Sequence, residues 1–183
     1  MSRILKQGFI DALIAEKKSI SRKQSETLKN PRVQRNRNLI CEFALPGKIH
    51  TFKVTARKQV SGRQQNNFAV ILSIVWYGKR YNLIRCDGFQ GPHQNHLEIS
   101  RNSGNQLIPK NTCHIHYITE RYQLCPNTIQ PEHYAERTES YSDFEGAAEF
   151  FCDHFGIVCQ NGYKGHEGYQ HRHPLFRQEN PND

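Results

Sequence analysis

The sequence predicts an α+β domain that consists of an N-terminal helix, an antiparallel sheet of about five strands and a C-terminal helix packed on the sheet. Apolar residues recur every three or four positions near both ends of the chain, which indicates amphipathic helices. Between them the chain is extended and rich in β-branched and aromatic residues. With 183 residues, of which 36% are hydrophobic, the chain has enough material for one modest core.

The N-terminal segment predicts two helices. The apolar stripe of the first helix, which ends near residues 17–18, is formed by Ile4, Leu5, Phe9, Ile10, Leu13 and Ile14. Ser21 followed by Gln24 is typical of a capping box, so a second helix is expected over 22–29, before Pro31 ends it. The following residues are interpreted as a basic linker that contains Arg32, Arg35 and Arg37.

The middle of the chain predicts a meander of antiparallel strands. Four extended runs cover residues 39–45, 49–55, 68–77 and 81–86, and turn residues or polar stretches separate them. The third run is nearly apolar throughout, which is typical of a central strand. The alternation over 113–120 predicts a fifth strand, and the polar segment 87–112 between them is expected to be a functional loop.

Near the C-terminus, Asp143 and Glu145 predict the first turn of a helix that continues through aromatic and alanine residues to Gly156. Beyond it the composition changes to glycine, glutamine, asparagine and histidine. We therefore divide the chain into a basic helical N-terminal segment (1–36), an α+β core domain (37–159) and a flexible His-rich tail (160–183).

Charge is distributed unevenly along the chain. Residues 1–80 contain 17 Lys/Arg and 4 Asp/Glu, whereas residues 81–183 contain 8 and 13. A basic half of this kind predicts a nucleic-acid partner. The residues expected to contact it, around the first hairpins, are Lys53, Arg57, Lys58, Arg63, Lys79 and Arg80.

Neither a membrane span nor a secretory signal is expected. The longest apolar run falls far short of the roughly 18 residues that a membrane helix needs, and the first residues lack the pattern of a signal peptide, so we expect a cytoplasmic protein. The six cysteines include no Cys-x-x-Cys pair, which argues against a zinc ribbon and favours buried, reduced thiols.

Histidines and charged residues of the second half predict an active site, formed by Arg85, Asp87, His93, His96, His114 and His116. Cleavage of RNA by its own 2′-hydroxyl requires a base, an acid and a cation near the phosphate, and this set supplies all three. His114 and His116 alternate on one strand, so they share a face roughly 6–7 Å apart. A metal site made from this His-x-His pair with His93 or His96 is the alternative, and a Cys113–His116 nucleophile pair is a weaker one.

One further pattern comes from known proteins. The chain resembles the TumE-type toxins of bacterial toxin–antitoxin pairs over about residues 38–157, through the run 81–88, Pro92-His93, His114-Ile115-His116 and the helix from Asp143 to Gly156. That family carries an Arg-x-Asp-Asn segment, paired histidines and a His-x-His strand. Gly88 stands where the family has asparagine. The resemblance implies a ribonuclease neutralised by an antitoxin, with site residues Arg85, Asp87, His93, His114 and His116.

We therefore expect an RNA-binding protein that acts as a metal-independent endoribonuclease of toxin–antitoxin type, without a cofactor. One of His93 and His96 would accept the 2′-hydroxyl proton, and one of His114 and His116 would protonate the leaving oxygen. Arg85 would stabilise the phosphate, and Asp87 would orient a histidine. The expected partners are RNA or a nucleoprotein complex and an acidic antitoxin protein. The alternative is a non-catalytic nucleic-acid or nucleoprotein-binding module, such as a phage or mobile-element inhibitor of a defence complex.

Overall fold

The computed structural model describes residues 4–60, 66–89, 92–95, 107–124 and 134–160, and these form a mixed α+β fold. The helices in the described residues are α1 (Gln7–Ala15), α2 (Arg22–Lys29), α3 (Glu120–Leu124) and α4 (Phe144–His154). The strands are β1 (Lys18–Ser21), β2 (Val33–Arg35), β3 (Asn38–Pro46), β4 (Thr51–Gln59), β5 (Phe68–Trp76), β6 (Lys79–Asp87), β7 (His93–Gln94), β8 (Leu107–Ile108), β9 (His114–Tyr117), β10 (Tyr134–Arg137) and β11 (Ile157–Gln160).

Within the described residues, the main sheet is antiparallel and has seven strands in the order β10-β9-β6-β5-β4-β3-β2. The expected meander is confirmed by β3 to β6, but the sheet is larger than the five strands predicted. The two additional strands, β2 and β10, lie at its edges and have only three and four residues. The segment interpreted as a basic linker contains β2, so that prediction was wrong for these residues. All three residues of β2 are exposed, and their sequence shows no apolar alternation that would predict a strand. Pairing with a neighbour makes each of them a strand.

Two short ribbons complete the strands. Parallel pairing of β1 with β11 joins the N-terminal segment to the end of the described chain, with Lys18 opposite Ile157. The antiparallel β7–β8 ribbon lies in the segment expected to be a loop, with His93 opposite Ile108. Neither ribbon was predicted, because each depends on pairing between segments that are distant in sequence or too short to show a period. Beyond Gln160 the predicted tail lies outside the described residues.

The helix ends follow the predicted capping chemistry. The N–H of Gln24 donates to Ser21 Oγ at 3.2 Å, and the Gln24 side chain accepts from the Ser21 N–H at 3.0 Å, which confirms the capping box of α2. Asp143 accepts from the N–H of Gly146 at 2.8 Å and caps α4. Gly156 follows α4 with a φ of +66°, a conformation that glycine adopts without strain.

A buried lysine connects two helix ends. Lys18 is only 1% exposed, and its Nζ donates to the carbonyl oxygens of Ile14, Glu16 and Phe155 at 2.9, 2.7 and 3.2 Å. These acceptors lie in the last turn of α1 or directly after α1 and α4, where backbone carbonyls have no partner within the helix. Burial lowers the pKa of Lys18 to about 8, against the opposing effect of Glu16. Lys18 therefore joins α1 to α4 inside the core.

The two faces of the sheet differ in what they bury. Side chains alternate along each strand, so Phe68 and Val70 share the face that packs on α4, where the rings of Phe68 and Phe144 are 5.8 Å apart. We call the opposite face the site face. It carries Arg57, Ala69, Asp87 and His114. None of the helices within the described ranges has the length and apolar character needed to cross a membrane.

Candidate active site

Strand pairing explains why four predicted site residues meet. In the β6–β9 register, Asp87 lies opposite His114 and Arg85 lies opposite His116. Residues directly opposite each other in an antiparallel pair point to the same side, as do residues two apart on one strand. All four side chains therefore lie on the site face. The carboxylate and the guanidinium lie on β6, and the two imidazoles lie opposite them on β9.

Asp87 is the centre of this cluster. Its side chain is fully buried, and Oδ2 accepts a hydrogen bond from Arg85 Nε at 2.7 Å, a second one from Arg85 Nη2, and one from His116 Nε2 at 3.2 Å. Burial by itself would raise the pKa of Asp87, but the hydrogen bond from His116 and the charge of Arg85 outweigh it and lower the pKa to about 2. Asp87 is therefore a carboxylate at neutral pH.

His116 is buried and neutral at the same pH. Its side chain is 2% exposed, and this burial lowers its pKa to about 4, although the hydrogen bond to Asp87 and the charge of Asp87 oppose the shift. A contact of 3.2 Å to a carboxylate requires the proton on Nε2, so the lone pair of the neutral ring lies on Nδ1. Nη2 of Arg85, 3.5 Å from Nε2, then stabilises Asp87 rather than the ring.

His114 has the opposite tautomer when neutral. Its Nδ1 lies 2.8 Å from the carbonyl oxygen of Thr112, which only accepts, so Nδ1 carries a proton. Nε2 then faces Asp87 Oδ2 at 3.7 Å. The hydroxyl of Tyr141 donates to the backbone carbonyl of His114 at 2.8 Å and supports this strand from the core side.

His93 approaches the cluster from the β7–β8 ribbon. Its ring centroid is 4.8 Å from that of His116 and 6.1 Å from that of His114. Its Nε2 lies 3.0 Å from Asn95 Oδ1. The Asn95 amide donates to the carbonyl of Ala135 at 2.7 Å and accepts from its N–H at 2.9 Å, which sets the amide orientation. His93 Nε2 is therefore the donor to Asn95, and the neutral ring has its lone pair on Nδ1.

Asn95 is a member of the candidate site that the sequence did not predict. It is 2% exposed and lies in a polar segment where nothing in the pattern separates it from its neighbours. Ala135 lies opposite His116 in the β9–β10 pair, so Asn95 fixes His93 beside His116. The ribbon is held a second time by Arg137, whose Nη2 donates to the carbonyl of Leu107 at 2.7 Å.

The structure brings together five of the six predicted site residues, and His96 lies outside the described residues. The weaker pairing of Cys113 with His116 does not form. Cys113 packs in the core on the α4 side of the sheet, whereas His116 points to the site face. Burial raises the pKa of the Cys113 thiol to about 11, so it is a poor nucleophile.

The predicted basic residues do not form one surface. Lys53, Arg57 and Arg80 lie on the site face, where Lys53 pairs with Glu42 at 2.6 Å. Lys58 points the other way, with Nζ 5.2 Å from the ring centre of Phe144, because adjacent strand residues alternate. Nζ of Lys79 lies over the ring of Tyr81, and Arg63 lies outside the described residues.

Access to the cluster is narrow. Asp87 is 0% exposed and both His114 and His116 are 2% exposed, whereas the side chain of Arg85 is 19% exposed and His93 is half-buried. A ligand would therefore meet Arg85 and His93 first.

The same side chains offer ligand atoms for a metal. The donor atoms of Asp87, His114 and His116 all lie within 4.8 Å of one another, and the Nε2 to Oδ2 distances of 3.7 and 3.2 Å are near those of a tetrahedral site. The guanidinium of Arg85 opposes a divalent ion, because it already supplies a positive charge against Asp87. Asp87, the one acidic ligand of this group, is thus already paired with a cation.

Comparison of the chain with protein-family models, with curated proteins and with solved structures gave no match. The resemblance to TumE-type toxins therefore remains a prediction.

Proposed function

We propose that this protein binds RNA and cleaves it as a metal-independent endoribonuclease. The observation that carries the proposal is the ionised, buried Asp87, which holds a guanidinium and an imidazole on one carboxylate oxygen with a second imidazole alongside. Arg85 and His93 are the members of the cluster nearest to solvent, so these two side chains would contact the substrate.

The chemistry assigns one task to each group. His93 accepts the proton of the 2′-hydroxyl through Nδ1, and the 2′-oxygen attacks phosphorus. Arg85 stabilises the charge that develops on the phosphate oxygens. The bond from phosphorus to the 5′-oxygen breaks, and that oxygen takes a proton from the imidazolium form of His114, which leaves a 2′,3′-cyclic phosphate and a 5′-hydroxyl. His116 is the less suitable acid, because its lowered pKa leaves it neutral at pH 7.

Burial sets a condition on this mechanism. His114 is 2% exposed behind His93, so the leaving oxygen reaches it only when the side chains around the cluster rearrange on substrate binding while His93 stays near the phosphate.

A cleavage assay tests the proposal. Purified protein in EDTA should convert a 5′-labelled single-stranded RNA to fragments that end in a 2′,3′-cyclic phosphate. His93→Ala should remove the activity, whereas His154→Ala, at an exposed position on α4, should retain it. A substrate with 2′-deoxynucleotides should remain intact. Cleavage that requires a divalent ion, or that persists in His93→Ala, would refute the assignment.

A second candidate is a binding module for nucleic acid or for a nucleoprotein complex, with no catalysis. The 2% exposure of both His114 and His116 favours this second candidate. Side chains this deeply buried would support β6 and β9 instead of reacting with a substrate. One such module is an inhibitor of a nucleoprotein defence complex, because a basic protein is attracted to the negative charge of nucleic acid. RNA binding without cleavage by the folded protein, at any divalent-ion concentration, would select this candidate. An acidic antitoxin remains the expected protein partner of the catalytic form.

A further inference from the structure

A polar pocket lies on the site face away from the histidine cluster. It has a volume of about 420 Å³, which is within the range of small-ligand sites. The residues that line it are Asn36, Arg37, Asn38, Arg57, Gln59 and Asn67. The lining thus contains two arginines and four amide residues, and none of the described residues that line the pocket is acidic or apolar.

The sheet register connects this pocket to the cluster. Arg57 lies opposite Ala69, and Ala69 lies opposite Asp87, so Arg57 and Asp87 share one row of the site face with a small side chain between them. Two strand spacings separate them, which is about 10 Å. Asn38 lies opposite Gln59 in the neighbouring row, on the same face.

The backbone holds the pocket in shape. Asn36 has a φ of +55° at the turn between β2 and β3, a conformation that asparagine tolerates better than most residues. The carbonyl of Arg37 accepts from the N–H of Val60 at 3.0 Å, and the carbonyl of Asn67 accepts from the N–H of Gln59 at 2.9 Å. The segments on the two sides of the cavity are thus joined by main-chain hydrogen bonds.

We propose that this pocket binds one unpaired nucleotide of the RNA whose backbone reaches the Asp87 cluster. Arg37 and Arg57 bind phosphate, since a guanidinium matches phosphate geometry with paired hydrogen bonds. The amides of Asn38, Gln59 and Asn67 read the edge of the base, because an amide offers both a donor and an acceptor. The inference deepens the proposed function, and rests on it for the identity of RNA as the ligand.

Two features favour a nucleotide over a free anion. An inorganic anion would leave most of the amides without a use, and it would fill only a fraction of a cavity of about 420 Å³. The base must be unpaired, because sequence reading of RNA takes place on bases that are splayed out of a helix.

Binding of an RNA that cannot be cleaved tests the pocket separately from catalysis. The probe is a fluorescein-labelled, fully 2′-O-methylated single-stranded RNA octamer. The test variant is Arg37→Ala with Arg57→Ala, and the control is Arg22→Ala with Lys23→Ala, which removes two exposed positive charges from α2 on the other side of the sheet. We expect the test variant to bind at least about tenfold more weakly, and its salt dependence to fall by about 1.4 in log–log slope, since each phosphate contact on a single strand contributes about 0.7.

The control should change affinity less than about twofold. Equal losses in both variants would overturn the proposal, because they would indicate only a general charge effect. Unchanged binding in the test variant would also overturn it. If that variant does not fold, as judged by circular dichroism, Arg57→Gln alone takes its place. Because the probe has no 2′-hydroxyl to attack, failure of the ribonuclease proposal would leave this result unaffected.

Base reading has its own measurement. Asn38→Ala with Asn67→Ala should change the ratio of affinities for 2′-O-methylated oligo-A, oligo-U and oligo-C, whereas the arginine variant should weaken all three alike. Equal weakening of all three by the asparagine variant would contradict the assignment of the amides to the base.

Discussion

Asp87 Oδ2 and His116 Nε2 lie 3.2 Å apart on adjacent strands, in a site where neither side chain is more than 2% exposed. The carboxylate is ionised and the imidazole is neutral, because Arg85 supplies the positive charge of the site and burial disfavours a second one. The protonation states of this pair therefore predict how the stability of the protein depends on pH and on substitutions in the cluster.

The pH dependence of stability follows from the lowered pKa of His116. Its folded-state pKa is about 4, below its usual 6.5, so the unfolded chain binds more protons between these values and stability falls as the pH drops through that window. The free energy of unfolding should decrease by on the order of 2 kcal/mol between pH 7 and pH 5. Urea denaturation across this range measures it. His116→Gln should remove most of the loss, and His154→Gln should keep it.

Neutralising Asp87 should be costly. Asp87→Asn leaves Arg85 without its counter-ion in a site that is largely buried, so we expect a loss of about 3 kcal/mol in the free energy of unfolding. Glu42→Gln is the matched control, because it breaks an exposed pair with Lys53 and should cost less than about 1 kcal/mol. Similar urea midpoints for the two variants would contradict the central role of Asp87.

Asn95 is expected to act as a positioning residue. Asn95→Ala removes the acceptor that fixes His93 and the link to Ala135, so RNA cleavage should fall by about tenfold or more. Affinity for the uncleavable RNA should stay within about twofold, since Asn95 is only 2% exposed. The pH profile of cleavage should shift, because the proton on His93 loses its acceptor. An unchanged profile with reduced RNA affinity would point to general loosening of the fold instead.

Adjacent lysines offer a direct comparison of a buried and an exposed charge. Lys18→Met removes three hydrogen bonds to carbonyls near the ends of α1 and α4, and should reduce the free energy of unfolding by about 3 kcal/mol. Lys17→Met, at an exposed position one residue earlier, should be within about 0.5 kcal/mol of the wild type. Thermal or urea denaturation followed by circular dichroism measures both.

The position of Arg85 predicts how the site responds to zinc. In the wild type the guanidinium opposes a divalent ion beside Asp87, His114 and His116. Arg85→Ala should therefore bind Zn²⁺ at least about tenfold more tightly than the wild type, measured by competition with a zinc-sensitive dye. His116→Ala in the same background should remove the gain. Tight stoichiometric zinc binding by the wild type would instead favour the alternative prediction of a metal site at the His-x-His pair.

Local signals predicted much of the fold. The stripe of α1, the capping box at Ser21 and the cap at Asp143 each depend on residues within one or two turns, so short-range chemistry is sufficient to place them. The strands β3 to β6 are long enough to show their extended character. The edge strands β2 and β10 are too short for this, and only their neighbours on the sheet make them strands.

The candidate site divides in the same way. Residue type grouped Arg85, Asp87, His114 and His116 with His93 and His96. Two-residue spacing placed only His114 and His116 on one face, because alternation along a strand is a local property. Their burial, the tautomers of the imidazoles and the opposite orientations of Arg57 and Lys58 follow from which strand lies beside which. Asn95 became part of the site only through its contact with Ala135, 40 residues away in sequence.

The sequence by itself determined α1, α2, α4, the long strands and the chemical types available to a site, since each of these depends on residues a few positions apart. It did not predict α3, because Glu120 was expected to end a strand. The tertiary structure alone decided the sheet edges, the depth of the imidazoles and the location of the polar pocket on the same face as Asp87. Those depend on contacts between segments far apart in the chain, whose free energy no local pattern records.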